Sequence, residues 1–395
     1  MLEQLDKQYV IQTYARNYVN FKKGINATLF DDNEKDYIDF TSGIGVVSVG
    51  HGNKRVADVI AKQANSIMHI SNLYGIEPQA KLGEKIAQLL DMDVATFFSN
   101  SGAEANEGAI KLARKYGETK FENKRYKVIT LENSFHGRTI TTVRATGQAS
   151  MHSPNFAPYP EGFSFNNAIE DVYNSIDDET VAVMIELVQG EGGVQPFDKK
   201  EIQELAKFLK QNDILLIIDE VQSGAFRTGE FLATQVYEIE PDIITMAKGL
   251  GGGVAIGAVI TTHKDLFTYG DHGSTFGGNY LCTAAALEVL SILDDYKNSG
   301  ELDETIIYFN NELKKVYEAN KDLFTDSVGL GLMRGLRVKD ADTLSNIIKE
   351  SFNEGLLILK AGRNTLRMLP PLTITKEEIQ KGFKRLQNAL EKCKD

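Results

Sequence analysis

Lys248 stands between an apolar run, Ile243-Ile244-Thr245-Met246-Ala247, and a glycine-rich turn, Gly249-Leu250-Gly251-Gly252-Gly253. An amine held where a buried strand ends loses hydration, which disfavours the ammonium and lowers its pKa from about 10.4 toward neutrality. Such an amine is a nucleophile able to condense with a carbonyl. A lysine in a loop is ordinarily a solvated surface group, so its neighbours in chemistry must decide. Asp219 closes the most apolar run of the chain, Ile214-Leu215-Leu216-Ile217-Ile218, and is followed by Glu220, Val221 and Gln222. Ligands of open α/β sheets bind beyond the carboxyl ends of the strands, which aims Asp219 at a crevice. A buried carboxylate there requires a cation. A protonated ring nitrogen meets that need, with Gln222 placed to bond a neighbouring phenolic oxygen; the alternative is that Asp219 simply caps the next helix.

Ser99-Asn100-Ser101-Gly102-Ala103-Glu104-Ala105-Asn106 marks a strand turning into a helix. Free amides, a hydroxyl and the positive end of the helix dipole make an anion site there, and a phosphate would fit. Equally, Ser101 can cap the helix with Glu104 completing a capping box. Phe135-His136-Gly137-Arg138 gathers an aromatic face, an imidazole and a guanidinium in one loop. Phe135 can stack on a flat ring and Arg138 can hold a carboxylate through two parallel bonds. His272-Gly273-Ser274-Thr275-Phe276-Gly277-Gly278-Asn279 is a second polar loop opening a helix. A reactive lysine, a ring-nitrogen carboxylate, two phosphate loops and an arginine together describe a pocket for pyridoxal 5'-phosphate, a cofactor whose carbanion chemistry the protein only has to position. The fingerprints of P-loop, dinucleotide-binding, serine-hydrolase and zinc-peptidase sites are absent, which removes the sequence support for those readings.

Elements must bring these segments together. Ala95–Phe98, Val128–Leu131, Val181–Ile185 and Ile214–Ile218 are continuous apolar runs, the pattern of strands covered on both faces, hence of a mainly parallel sheet. Between them, helical spacing is read over Glu104–Lys115, Lys199–Gln211 and Tyr280–Leu293. That alternation predicts an α/β fold with a doubly wound sheet. From Glu301 the pattern changes to a helix, a strand pair through Val328–Val338, a helix from Ala341, a short strand at Leu356–Leu359 and a last helix from Thr375. The expected organisation is a large cofactor-binding domain over 46–295 and a smaller α+β domain over 296–395, against which residues 1–45 pack.

Across 395 residues, 43 basic and 55 acidic side chains leave a formal charge of −12, which argues against nucleic acid or an anionic membrane as partner and for a small metabolite. The two cysteines, Cys282 and Cys393, are far apart, and the six histidines are dispersed, so neither a disulfide framework nor a metal site is expected. With no targeting segment and no long apolar run, a cytoplasmic location is expected.

Beyond these readings, ordered motifs run along nearly the whole chain: Asp39-Phe40-Thr41-Ser42-Gly43-Ile44-Gly45-Val46 with Gly50-His51, Asn100 to Asn106, Phe135 to Thr139, Gln189-Gly190-Glu191-Gly192-Gly193, Asp219-Glu220-Val221-Gln222, Ala247 to Gly253, and His272 to Asn279. In this the chain resembles the class-III pyridoxal-phosphate-dependent aminotransferases, and most closely their acetylornithine branch. The resemblance implies an aspartate-aminotransferase-like fold. It implies that Lys248 binds the cofactor covalently and later moves the reaction proton, that Ser101, Gly102 and Ala103 hold the phosphate, that Phe135 stacks on the ring, and that Asp219, with Glu220, Val221 and Gln222 around it, engages the ring nitrogen and hydroxyl. It implies a homodimer in which Thr275 reaches the partner's cofactor phosphate. Arg138, with Ser274 nearby, and Arg367 would bind substrate carboxylates, and Glu191 would pair with Arg367 when an amine-bearing substrate enters and release it for glutamate. The implied reaction is transfer of the terminal amino group of N2-acetylornithine to 2-oxoglutarate. Ornithine, succinylornithine, N-succinyl-diaminopimelate and 4-aminobutyrate are rival donors, and a non-catalytic phosphate-ligand-binding protein is the rival of another class. Two departures stand out from the family pattern: Phe226 where small residues are usual, and Asn279-Tyr280-Leu281 in place of Asn-Pro-Leu. Both are expected to alter loop shape or a subunit seam.

Overall fold

The computed structural model describes residues 1–122 and 124–394. In chain order its strands are β1 Phe21–Ile25, β2 Thr28–Asp31, β3 Asp36–Asp39, β4 Ala95–Ser99, β5 Lys127–Leu131, β6 Phe163–Asn166, β7 Thr180–Ile185, β8 Val188–Gln189 and β9 Gln195–Pro196. They continue with β10 Leu215–Asp219, β11 Ile243–Met246, β12 Gly257–Thr261, β13 Phe324–Leu330, β14 Met333–Val338, β15 Leu356–Leu357, β16 Leu359–Ala361 and β17 Thr365–Met368. Seven of them form the central sheet in the order β4-β12-β11-β10-β7-β5-β6. Every strand is parallel to the rest except β12, which runs antiparallel between β4 and β11.

The continuous hydrophobicity of the inner strands has its explanation in two covered faces. Ala182, Met184, Leu215 and Ile217 pack with Ala105, Ala109, Ile110 and Leu112 of the helix Gly102–Phe121. Val183, Ile185, Leu216 and Ile218 face the other way, onto Ile169 and Val172 and onto Ile202, Leu205 and Leu209 of the helix Lys199–Gln211. Successive strand residues point to opposite faces, so a run without polar interruption is what two layers of helix demand. Because every parallel strand ends at the same edge, the loops after β4, β5, β7, β10 and β11 meet there.

The C-terminal part builds the antiparallel sheet β13-β14-β17-β16 with the helices Glu301–Ala319, Ala341–Asn353 and Lys376–Lys392. The expected strand at 356–359 is split: β15 joins β3 in parallel, with Ile38 opposite Leu356, while β16 turns into the other sheet. N-terminal strands and the C-terminal unit therefore share a four-stranded sheet, β1-β2-β3-β15. Tyr280–Asn298 is one helix, so residue 295 lies inside it. Phe226 lies on no surface seam. It is buried against Phe231, ring centroids 5.6 Å apart, with Ala225 and Phe226 both at positive φ, so the loop takes in the bulky ring by turning it into the core. Among the described residues no helix is long and apolar enough to cross a membrane.

Candidate active site

A cavity of about 410 Å³ opens where those strand ends converge, lined among others by Ser101, Phe135, Asp219, Val221 and Lys248. Its floor is a network of buried polar groups. Asp219 ends β10 with one oxygen accepting both the Asn106 Nδ2 donor and His136 Nδ1–H, each at 2.8 Å, and the other accepting Val221 N–H at 3.0 Å. Asn106 is itself fixed from two sides, donating to the His136 carbonyl at 2.7 Å and accepting from Thr245 Oγ1 at 2.7 Å. Three strands and the long helix thus hold one carboxylate in place, and an ionised carboxylate so satisfied presents fixed negative charge to the cavity.

At the cavity's other end the helix Gly102–Phe121 begins with Ser101 as its cap, accepting Glu104 N–H at 3.2 Å. The capping box is not closed in the expected way. Glu104 reaches past Ser101 to accept from the Asn100 amide at 2.7 Å and its Nδ2 at 2.8 Å. Capping at the third helical amide leaves the amides of Gly102 and Ala103 directed out of the helix end, the geometry of an anion site. A Cβ at Gly102 would sit 2.7 Å from Val221 Cγ1, so only glycine lets the helix end and the cavity wall approach this closely.

Lys248 follows β11 with φ of 41°, a left-handed conformation that a non-glycine residue adopts at a cost of about 1 kcal/mol. Burial pushes its amine below the ordinary lysine range, with Arg367 adding to the effect while Glu191, Asp219 and Glu186 oppose it. Phe135 and Val221 supply the apolar walls, and the Arg138 guanidinium lies 5.7 Å from the centre of the Phe135 ring. Arg367, on β17, is almost wholly buried and donates to Glu191 at 2.6 Å and to Gln222 Oε1 at 3.1 Å. Burial pushes the Glu191 carboxyl up, but the charge and hydrogen bond of Arg367 outweigh it and hold it below the usual range.

Not every expected residue joins this group. Glu220 turns away from the cavity, accepting from Ser223 Oγ and from the Thr234 amide, because alternation along the chain after Asp219 sends it to the opposite side of the strand end. Ser274 stands behind the anion site, accepting from Asn100 Nδ2 at 3.1 Å, and Thr275 is exposed, outside this chain's own cavity. Conversely Asn106, His136, Thr245 and Glu186 belong to the site. The placement of Asn106 one turn into a helix that starts at the site, and of Glu186 at the carboxyl end of a buried strand, are signals a sequence carries for them. Among the described residues no cluster of histidine, cysteine and carboxylate groups is arranged to hold a metal.

The donor set fits pyridoxal phosphate: helix-end amides for a dianion, a fixed carboxylate for a ring nitrogen, an amine of lowered pKa for an aldehyde, and apolar walls for a flat ring. A family profile described as aminotransferase class-III matches residues 10–390. An acetylornithine aminotransferase of Wolinella succinogenes is 56% identical over 391 residues, covering 99% of each chain. Among solved structures, an ornithine aminotransferase of Toxoplasma gondii, described with partial occupancy of PLP at its active site, superposes with a TM-score of 0.92 at 30% identity, covering 100% of this chain and 95% of its own. N-acetylornithine aminotransferase from Stenotrophomonas maltophilia superposes with a TM-score of 0.84 at 29% identity over 99% of both chains. With its profile match and its full-length relative both spanning the cavity just described, the chain belongs to the class-III aminotransferases.

Proposed function

We propose that this aminotransferase moves the terminal amino group of N2-acetyl-L-ornithine to 2-oxoglutarate, giving N-acetyl-L-glutamate 5-semialdehyde and L-glutamate, a step of arginine biosynthesis carried out in the cytoplasm. The observation that carries the reading is the Glu191–Arg367 pair beside Lys248. A donor whose reacting end is an amine and an acceptor carrying two carboxylates must use one cavity in turn. An arginine whose charge is masked by Glu191 in one half-reaction and exposed in the other serves both, since neither charge is left buried and unpaired.

When bound, pyridoxal phosphate supplies an electrophilic carbonyl and an electron sink. Lys248 would hold it, and its Nζ would take and return the reaction proton. The amides of Gly102 and Ala103 with Ser101 would bind the phosphate, Asp219 would keep the ring nitrogen protonated, Gln222 would bond the ring hydroxyl, and Phe135 and Val221 would enclose the ring. Arg138 orients the substrate carboxylate. In a homodimer Thr275 completes the phosphate site of the partner. Met68, Leu73, Tyr74 and Phe276 support that assembly: they are 51%, 88%, 64% and 61% exposed on two loops joined by Asn72, whose Nδ2 donates to the carbonyls of Ser274 and Gly277, a patch a solvated monomer rarely shows.

The test is a panel of amino donors with 2-oxoglutarate as acceptor. Acetylornithine should give the highest kcat/KM, and borohydride reduction should leave a pyridoxyl group on Lys248. A panel led by ornithine, succinylornithine, N-succinyl-diaminopimelate or 4-aminobutyrate would reassign the substrate, and an unlabelled Lys248 would end the reading.

A further inference from the structure

Glu186 is an interior carboxylate directly after β7, on the cavity lining, and none of the roles above uses it. Its two oxygens serve two different loops. One accepts the Phe135 amide at 3.0 Å and the other the Gly190 amide at 3.2 Å. The first loop carries the aromatic wall and Arg138. The second carries Glu191, the residue after Gly190, and is seated on Gln222 so closely that a Cβ on Gly190 would collide with the glutamine amide.

We propose that Glu186 is a positioning residue for the transamination, setting the register of the Phe135 wall against the loop that presents Glu191 to Arg367. This rests on the reading of the cavity as an aminotransferase site. Only a carboxylate offers acceptors in both directions; a glutamine in its place has one acceptor and turns an NH2 against the second amide. The groups facing Glu186 are His136 from the Phe135 loop and Asp219 from β10, with Lys248 further off at the end of β11. Burial, reinforced by Asp219 and opposed by His136 and the two amides, pushes its carboxyl up to about 7, so its charge changes near neutral pH. Because one carboxylate ties both loops, its loss should weaken cofactor retention and substrate sorting together, whereas loss of Glu191 alone touches only sorting.

The experiment compares the wild-type holoenzyme with Glu186→Gln and Glu191→Gln. It measures KM and kcat for acetylornithine and for 2-oxoglutarate, and cofactor loss on dialysis by visible absorbance, between pH 6 and pH 9. For Glu186→Gln the expected result is a rise of about tenfold in both KM values and in the cofactor dissociation constant, the scale of one buried bond to a charged group, with kcat little changed. Glu191→Gln should leave cofactor retention intact. Retention and both KM values within twofold of wild type in Glu186→Gln, or a fall in kcat alone, would overturn the proposal. Amide hydrogen exchange on the wild type gives a reading that needs no variant: the Phe135 and Gly190 amides should both be protected, and exchange of either at unprotected loop rates would also overturn it. A wild type without transaminase activity would defeat the proposed function instead, while the exchange result still decides whether Glu186 bridges the loops.

Discussion

Replacing Glu220 by glutamine isolates a buried carboxyl that faces away from the cofactor cavity. Burial raises its pKa from 4.5 to about 7, against the hydrogen bonds from Ser223 and the backbone of residues 233 and 234 that pull it down. As pH rises above 4.5 the unfolded chain ionises at this position while the folded chain keeps its proton. The group's contribution is therefore fully present below the unfolded pKa and is lost as pH climbs through the folded one, about 7. A displacement of this size corresponds to about 3 kcal/mol by pH 8. Glutamine is neutral throughout and keeps a carbonyl to accept the Thr234 amide. The difference in stability between Glu220→Gln and wild type should thus shift in the variant's favour by about 2.5 kcal/mol between pH 5 and pH 8, since the unfolded chain is already mostly ionised here at pH 5. For a chain of this length that is roughly 3 °C in Tm, well within reach of thermal melts of the two apoproteins in matched buffers. Comparing the variant with wild type at each pH removes the slopes of all other carboxylates. A difference that stays constant across the range would mean that Glu220 ionises at its ordinary pKa, and the account of its burial would be wrong.

Three further outcomes are expected. Gly257→Ala drives a methyl against the Ser101 carbonyl and 2.5 Å from Ser99 Oγ, so β12 must move off the anion loop; cofactor affinity, read by absorbance titration, should fall about tenfold or more for an overpacking strain of about 1–3 kcal/mol. Ile44→Gly removes a half-exposed β-branched residue held at φ of 68° between Gly43 and Gly45, both also at positive φ, and should leave stability unchanged or raise it by up to about 1 kcal/mol in denaturant melts, with no gain in Ile44→Val. Glu191→Ala unmasks Arg367, and the two half-reactions followed separately should change their rate ratio by about tenfold or more, toward the dicarboxylate substrate; an unchanged ratio would refute the masking role.

The central sheet was legible because its inner strands are apolar on both faces, and helix Lys199–Gln211 because an apolar stripe of Ile202, Leu205 and Leu209 recurs at helical spacing. β12 was not legible: Gly257-Ala258-Val259-Ile260-Thr261 follows a glycine-rich turn, and nothing local reveals that it runs against its neighbours. β17 escaped for a different reason, since a charged residue, Arg367, interrupts its apolar character and is made tolerable only by Glu191 and Gln222 from distant loops. Lys248 and Asp219, singled out in the sequence by residue type, both line the same cavity. Glu220, expected beside Asp219 from adjacency in the motif, instead accepts from Ser223 and Thr234, because neighbours in a motif point to opposite sides. Asn106, Thr245 and Glu186 hold the others in place through contacts that exist only once the strands are side by side.

The parallel pairing of β3 with β15 joins positions 38 and 356 of the chain. At synthesis rates of about 5–20 residues per second, the first strand waits roughly 15 to 60 seconds on the ribosome for its neighbour to be made. During that interval the β1-β2-β3 meander has an open edge, while the residues of the central sheet have already emerged. The sheet that holds the amino-terminal strands can therefore be completed only after the whole of the central sheet has been made.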